Sequence, residues 1–157
     1  GEDAAHIAEL SCRSLLYEVC TTPKPGLVDC ANSGSHKDMD LFTFVNSSSA
    51  LWPYFHTCAK TGIETAAEDA GETFRRIRSA GREAEYRMFS STGGINTHKG
   101  AVFSMGILCA ALGRLPYEQR RMPERVLEEC AAMTRGIVER DFRNVTLENA
   151  VTAGQRY

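Results

Sequence analysis

The chain has 157 residues, enough for one domain with a core of its own. Apolar residues make up 43% and charged residues 24%, which sets it apart from disordered chains, and a formal net charge of −2 removes any bulk electrostatic case for nucleic-acid binding. No run approaches the roughly 18 uninterrupted apolar residues of a membrane span, no signal peptide is visible, and six scattered cysteines with no C-x-x-C spacing give little support to a zinc or redox centre, so the expected setting is cytoplasmic.

From Glu2 to Cys20 the residues Ala5, Ala8, Cys12, Leu15, Leu16 and Val19 recur every third or fourth position, one face of a helix. Thr21-Thr22-Pro23-Lys24-Pro25-Gly26 stops it, and Leu27 to Asp38 reads as an ordered loop rich in Asp, Asn, Ser and Gly. A second helix is predicted from about Met39 to Lys60, with Pro53 as a kink point and Gly62 as its end. A third spans about Glu64 to Phe89, either continuous or broken near Gly81. After a Gly-containing loop from Ser90 to Asn96, Thr97 to Leu112 is so apolar that it reads as a helix buried nearly all round, with Gly113 as its stop. Pro123 opens a fifth helix to about Arg143, and Thr146 to Tyr157 reads as the start of a sixth. No period-2 run of β-branched residues appears. The expectation is one all-α domain over 1–157, an irregular helical bundle of about five to six helices with two functional loops.

Those loops carry the chemistry. One is Gly34-Ser35-His36-Lys37-Asp38-Met39-Asp40; the other is Gly93-Gly94-Ile95-Asn96-Thr97-His98-Lys99-Gly100. Each runs straight into an apolar helix, the way a protein presents backbone N–H groups, a positive helix end and a cation to a phosphate. In the second loop, Asn96 or Thr97 serves as an N-cap, and His98 and Lys99 place two donors in the first turn. A plain cap with a solvated Lys99 and an ordinary His98 explains the same residues. The spacing is not that of a P-loop. In the first loop, Asp38 and Asp40 either cap the following helix or hold a Mg²⁺ that accompanies a polyphosphate. The missing bidentate Glu excludes an EF-hand. Lys24 sits on a rigid turn, and Asp29 and Asn32 lie where they could orient a hydroxyl or water. Helical spacing favours core packing for Trp52 and Tyr54 over stacking on a base. His6 and His56 have no evident partners, and Arg75, Arg76 and Arg78 read as the wet face of a helix.

Taken together these segments resemble the triphosphoribosyl-dephospho-CoA synthase family. The likeness rests on Thr22-Pro23-Lys24-Pro25-Gly26-Leu27-Val28-Asp29, on Asn32 to Asp40 with Thr43-Phe44, on Gly94 to Gly106, and on Ala110-Ala111-Leu112-Gly113-Arg114. Cys30 stands where the family commonly has Arg. The family is nearly twice as long, and its later Arg-Gly-Glu-Ala run and Gly-Phe-Pro are absent, so the chain resembles the N-terminal half of such an enzyme. The resemblance implies a transferase whose substrates are ATP and 3′-dephospho-CoA. The 2′-hydroxyl of dephospho-CoA attacks C1′ of the ATP ribose, adenine leaves, and the product is the precursor of the prosthetic group of citrate lyase or malonate decarboxylase. It further implies Mg²⁺ on Asp38 and Asp40 and nucleotide contacts from Lys24, Gly34, Ser35, His36, Asn96, Thr97, His98, Lys99 and Gly100. Asp29, His36 or Asp38 would act as base, with the acid for adenine in the other half. A homodimer or pairing with that half would cover the apolar helix at Ala101–Leu112. Two other readings stay open: a different ATP- or phosphosugar-dependent transferase on the same scaffold, or a non-catalytic helical interaction module.

Overall fold

The computed structural model describes residues 1–31, 33, 34 and 39–136, with Lys99 as main chain only. Five α-helices follow one another: α1 (Glu2–Cys20), α2 (Leu41–Glu64), α3 (Ala70–Ser91), α4 (Lys99–Arg114) and α5 (Pro123–Thr134), with a 3₁₀ turn at Tyr117–Arg121 before the last. No strand occurs among the described residues, so the all-α expectation holds. No helix there is long and apolar enough to cross a membrane.

α1 buries Ala4, Ile7, Ala8, Ser11, Leu15 and Val19, a stripe at three- and four-residue spacing, and Glu2 and Asp3 suit its positive first turn. α2 is the central helix and packs on α1, α3 and α4. Its Leu51, Phe55, Cys58 and Ala59 are fully buried. α5 closes over α3 and α4 with Val126 and Met133. The thiols of Cys12 and Cys109 behave as core groups: burial pushes them up to about 11 and about 12.

Of three glycines that could end or break a helix, none does. α2 runs through Gly62 to Glu64, α3 runs unbroken through Gly81, and α4 runs through Gly113 to Arg114. Each lies where another helix comes close. A Cβ on Gly62 would stand 2.1 Å from the Ala110 carbonyl oxygen, and one on Gly113 would stand 2.2 Å from that of Ala59. The two helices thus meet backbone to backbone. Gly106 faces the Tyr54 hydroxyl, 2.1 Å from a built Cβ, whereas one on Gly81 would meet that hydroxyl at an ordinary contact distance of 3.4 Å. Pro53 lies inside α2 without ending it. α3 begins later than expected because Asp69 caps it, its carboxylate accepting from Gly71 N at 2.9 Å. α5 stops at Thr134, with Gly136 at φ +79° just after it. The rest of the expected fifth helix and the expected sixth lie outside the described residues.

At its far end α4 is tied down by Arg114. The guanidinium donates to Thr65 O (2.7 Å), Thr73 Oγ1 (2.6 Å), Glu68 O (3.0 Å) and Glu129 Oε1 (2.5 Å), joining four helices or their ends. On the surface, Arg75 and Arg76 pair with Glu72, and Arg76 also with Glu68, the wet face that the sequence suggests. Tyr54 is buried as expected, but Trp52 is half-exposed and stacks on His56, so it is not a core residue.

Candidate functional site

The Pro-rich segment after α1 folds back on that helix. Lys24 Nζ donates to Glu18 O at 2.8 Å and to Glu18 Oε1 at 2.9 Å. Asp29, 3% exposed, accepts from Lys24 N at 3.1 Å and from Ala31 N at 2.7 Å. These bonds draw the turn into a closed loop of the kind that Asp side chains favour. Gly34 has φ +57°, and a Cβ there would lie 2.4 Å from the Leu27 carbonyl oxygen, so only glycine fits this crossing of the loop on itself. Gly34 therefore has a structural duty beside any contact with a ligand.

The second loop begins at the end of α3. Gly93 at φ +67° and the Gly94 N–H, which donates to Phe89 O at 2.6 Å, turn the chain away from the helix. The Thr92 hydroxyl lies 2.6 Å from Ile95 O. The chain then enters α4, with His98 as N-cap residue and no side-chain cap bond, so neither Asn96 nor Thr97 fills the capping role expected of it. Thr97 instead points across to α2, where its hydroxyl donates to Ser47 Oγ at 2.6 Å. Ser47 Oγ lies 2.6 Å from His98 Nδ1.

A cavity of about 240 Å³ lies between the two loops. Lys24, Leu27 and Val28 line it from the first loop, Asn96 and Thr97 from the second, Glu18 from α1, and Met39 and Phe44 from the start of α2. Lys24, Asn96 and Thr97, far apart in sequence, are thus brought together. Asp29 sits behind the turn that carries Lys24. His98 adjoins the cavity through its neighbours: its ring meets Phe44 edge-on, with centroids 4.9 Å apart at 88°. Gly100 is exposed in the first turn of α4. Ser35, His36 and Asp38 lie outside the described residues, as does the side chain of Lys99.

Two groups expected to bring positive charge bring less. Lys24 is ion-paired with Glu18. His98 is 6% exposed, and burial lowers its pKa to about 4, so the imidazole is neutral near pH 7. Asp40 is the N-cap of α2. Its Oδ1 accepts from Thr43 N and Thr43 Oγ1, both at 2.9 Å, while Asp40 N donates to Thr43 Oγ1 at 3.3 Å. Those bonds hold its carboxyl below the usual carboxylate range, ionised and exposed. Among the described residues no three His, Cys, Asp or Glu side chains gather as a ready-made metal cluster.

Sequence reading missed Glu18, Phe44 and Ser47. A signal existed for the last. Ser47-Ser48-Ser49 interrupts an apolar helix, and Ser47 and Ser48 are fully buried, where hydroxyls need partners.

The architecture and site define an all-α domain with a cavity of mixed polar and apolar lining where two interhelical loops converge on the N-terminal ends of α2 and α4. The model of the ATP:dephospho-CoA triphosphoribosyl transferase family matches residues 4–157, and the chain belongs to that family. It is 40% identical over 156 residues to a probable 2-(5″-triphosphoribosyl)-3′-dephosphocoenzyme-A synthase of Lactiplantibacillus plantarum, covering 98% of this chain and 55% of the relative. A protein of the same description from Albidiferax ferrireducens is 44% identical over 143 residues, 90% of this chain and 46% of the relative. Protein CitXG of Leuconostoc mesenteroides subsp. cremoris is 38% identical over 155 residues, 97% of this chain and 33% of the relative. The chain thus spans about half, or less, of the length of the curated relatives it matches. No solved structure matches it.

Proposed function

We propose that this chain supplies the triphosphate-binding part of a triphosphoribosyl transfer from ATP to the 2′-hydroxyl of 3′-dephospho-CoA, with adenine as leaving group. The observation that carries the reading is the convergence of Lys24, Asn96 and Thr97 on one cavity at the start of α4, in a chain of this family. A helix start with open N–H groups suits phosphate oxygens. Of the donors at this cavity, Lys24 is charged but paired with Glu18, and Asn96 and Thr97 are neutral. Ser35, His36, Lys99 and Gly100 complete the nucleotide contacts in this reading, and Gly34 keeps the first loop in shape.

Asp40 fits a Mg²⁺ ion, because its carboxylate is ionised and exposed, and Mg²⁺ typically takes one or two carboxylates beside waters and phosphates. Asp38 would be the second ligand. When bound, the metal would neutralise charge on the triphosphate. Asp29 already accepts two main-chain N–H groups, so its part is to hold the Lys24 turn, and the base for the attacking hydroxyl falls to Asp38 or His36. A positioned base contributes roughly 10²–10⁴-fold to such a step. The transition state is oxocarbenium-like, as in other glycosyl transfers. The acid for adenine and the bulk of the dephospho-CoA contacts belong to the portion of the relatives that this chain does not span. In this reading the setting is cytoplasmic, since both substrates are soluble nucleotides.

Calorimetric titration with ATP, with and without Mg²⁺, tests this. Mg²⁺-dependent binding that Lys99→Ala and Asp38→Ala abolish supports the reading. Binding that neither change affects, or no binding by a folded full-length relative with the same loops, overturns it.

A further inference from the structure

The hydrogen bonds around His98 leave one proton donor over. Thr97 Oγ1 gives its proton to Ser47 Oγ. Ser47 Oγ lies 2.6 Å from His98 Nδ1, and having accepted from Thr97 it has its own proton to offer there. With Nδ1 accepting that proton, a neutral imidazole carries its own on Nε2. Nε2 is buried and has no hydrogen-bond partner among the described residues. His98 is 94% buried by residue surface, since only 6% is exposed. A buried N–H without an acceptor is an unfavourable arrangement that folded proteins seldom keep without a use. The charged group that acts on the ring is Glu18 of α1, which favours the imidazolium, but burial outweighs it. The ring lies against Phe44 and follows Thr97, both of which line the cavity, so His98 stands one residue behind the proposed nucleotide site.

We infer that Ser47 is a positioning residue that holds His98 as a neutral Nε2–H donor for a phosphate oxygen of the nucleotide. This rests on the nucleotide reading of the adjoining cavity. It gives His98 a role different from a counter-charge: a directed hydrogen bond that does not depend on the imidazole being protonated. Ser47, on the buried face of α2 and outside both loops, becomes part of the site.

Long-range ¹H–¹⁵N NMR on the 157-residue chain at pH 7 reads the tautomer directly, with His98→Gln assigning the signal. The expected wild-type state is Nε2–H with a bare Nδ1, and Ser47→Ala is expected to mix the tautomers. ATP with Mg²⁺ should shift the Nε2 signal. Calorimetry should show affinity falling about tenfold or more in Ser47→Ala and in His98→Ala, while His98→Gln, which keeps a terminal N–H, stays within about threefold of wild type. An Nδ1–H or doubly protonated His98 in the wild type overturns the inference, as does undiminished ATP binding by folded Ser47→Ala; the second result leaves the nucleotide reading standing. The expected tautomer, lost in Ser47→Ala, in a chain that binds no Mg-ATP supports the positioning role and removes the phosphate as its purpose.

Discussion

Helices α2 and α4 run side by side in the same direction, and each end of the pair holds a buried polar group of opposite standing. At the far end, Arg114 has a matched acceptor for every direction in which it donates, on Thr65, Thr73, Glu68 and Glu129. At the loop end, His98 has one nitrogen served by Ser47 and the other served by nothing described. The far end also has Gly62 and Gly113 in backbone contact, which leaves no room for adjustment. The satisfied network adds to stability and fixes the crossing. The unsatisfied one costs stability.

The comparison breaks most directly at the far end. Gly62→Ala or Gly113→Ala should lower stability by more than about 3 kcal/mol in urea denaturation, because the new methyl meets main chain that cannot move aside. A change near neutral would show that the crossing is soft. Arg114→Met should cost about 3 kcal/mol by the same measurement, leaving Glu129 and the Thr65 carbonyl without their partner. A cost below that of an ordinary surface change would remove Arg114 as the lock.

Acid sharpens the loop end. The folded pKa of His98, about 4, lies below its ordinary 6.5, so the unfolded chain binds a proton that the folded chain refuses between those values. Stability from this group is therefore full above pH 6.5 and falls as pH drops, by about 2 kcal/mol at pH 5. His98→Gln should flatten that part of the profile; an unchanged slope would assign it to other groups. The smallest effect is expected from Asp40→Ala, which removes the α2 cap and lowers the urea midpoint slightly, while Asp40→Asn keeps the cap. If Asp40→Asn nevertheless lowers Mg²⁺-dependent ATP binding, cap and metal roles separate at one residue.

Helical periodicity made all five described helices legible in the sequence, and the family motifs pointed to both loops. Their boundaries moved wherever glycine served packing instead of punctuation. Gly93 and Gly34 do take positive φ, as loop glycines should, but Gly62 and Gly113 are helical residues chosen for close approach. Composition does not distinguish the two uses, because the neighbour that makes the difference is about 50 residues away in the chain. The charge of His98 was illegible for a related reason. A histidine beside a lysine at a helix start looks cationic, and only the packing of α2 against it, with Phe44 and Ser47, makes it neutral. The apolar stripe of α1 was read with its period right but its face slightly rotated, since Ala4, Ile7 and Ser11 are buried where Ala5 and Cys12 are only half-buried.

The shared direction of α2 and α4 also has an electrical side. Each helix carries the equivalent of roughly half a positive charge at its N-terminus. Phe44, in the first turn of α2, touches His98 at the start of α4, so the two positive ends lie together. The opposite pole of α1 arrives at the same place, but Lys24 covers it through its bond to Glu18 O. Asp40 quiets the pole of α2 as its capping carboxylate, while that of α4 has no side-chain cap. An anion seated there would do for α4 what Asp40 does for α2, so the binding of ligand and the cohesion of the central helix pair become one quantity.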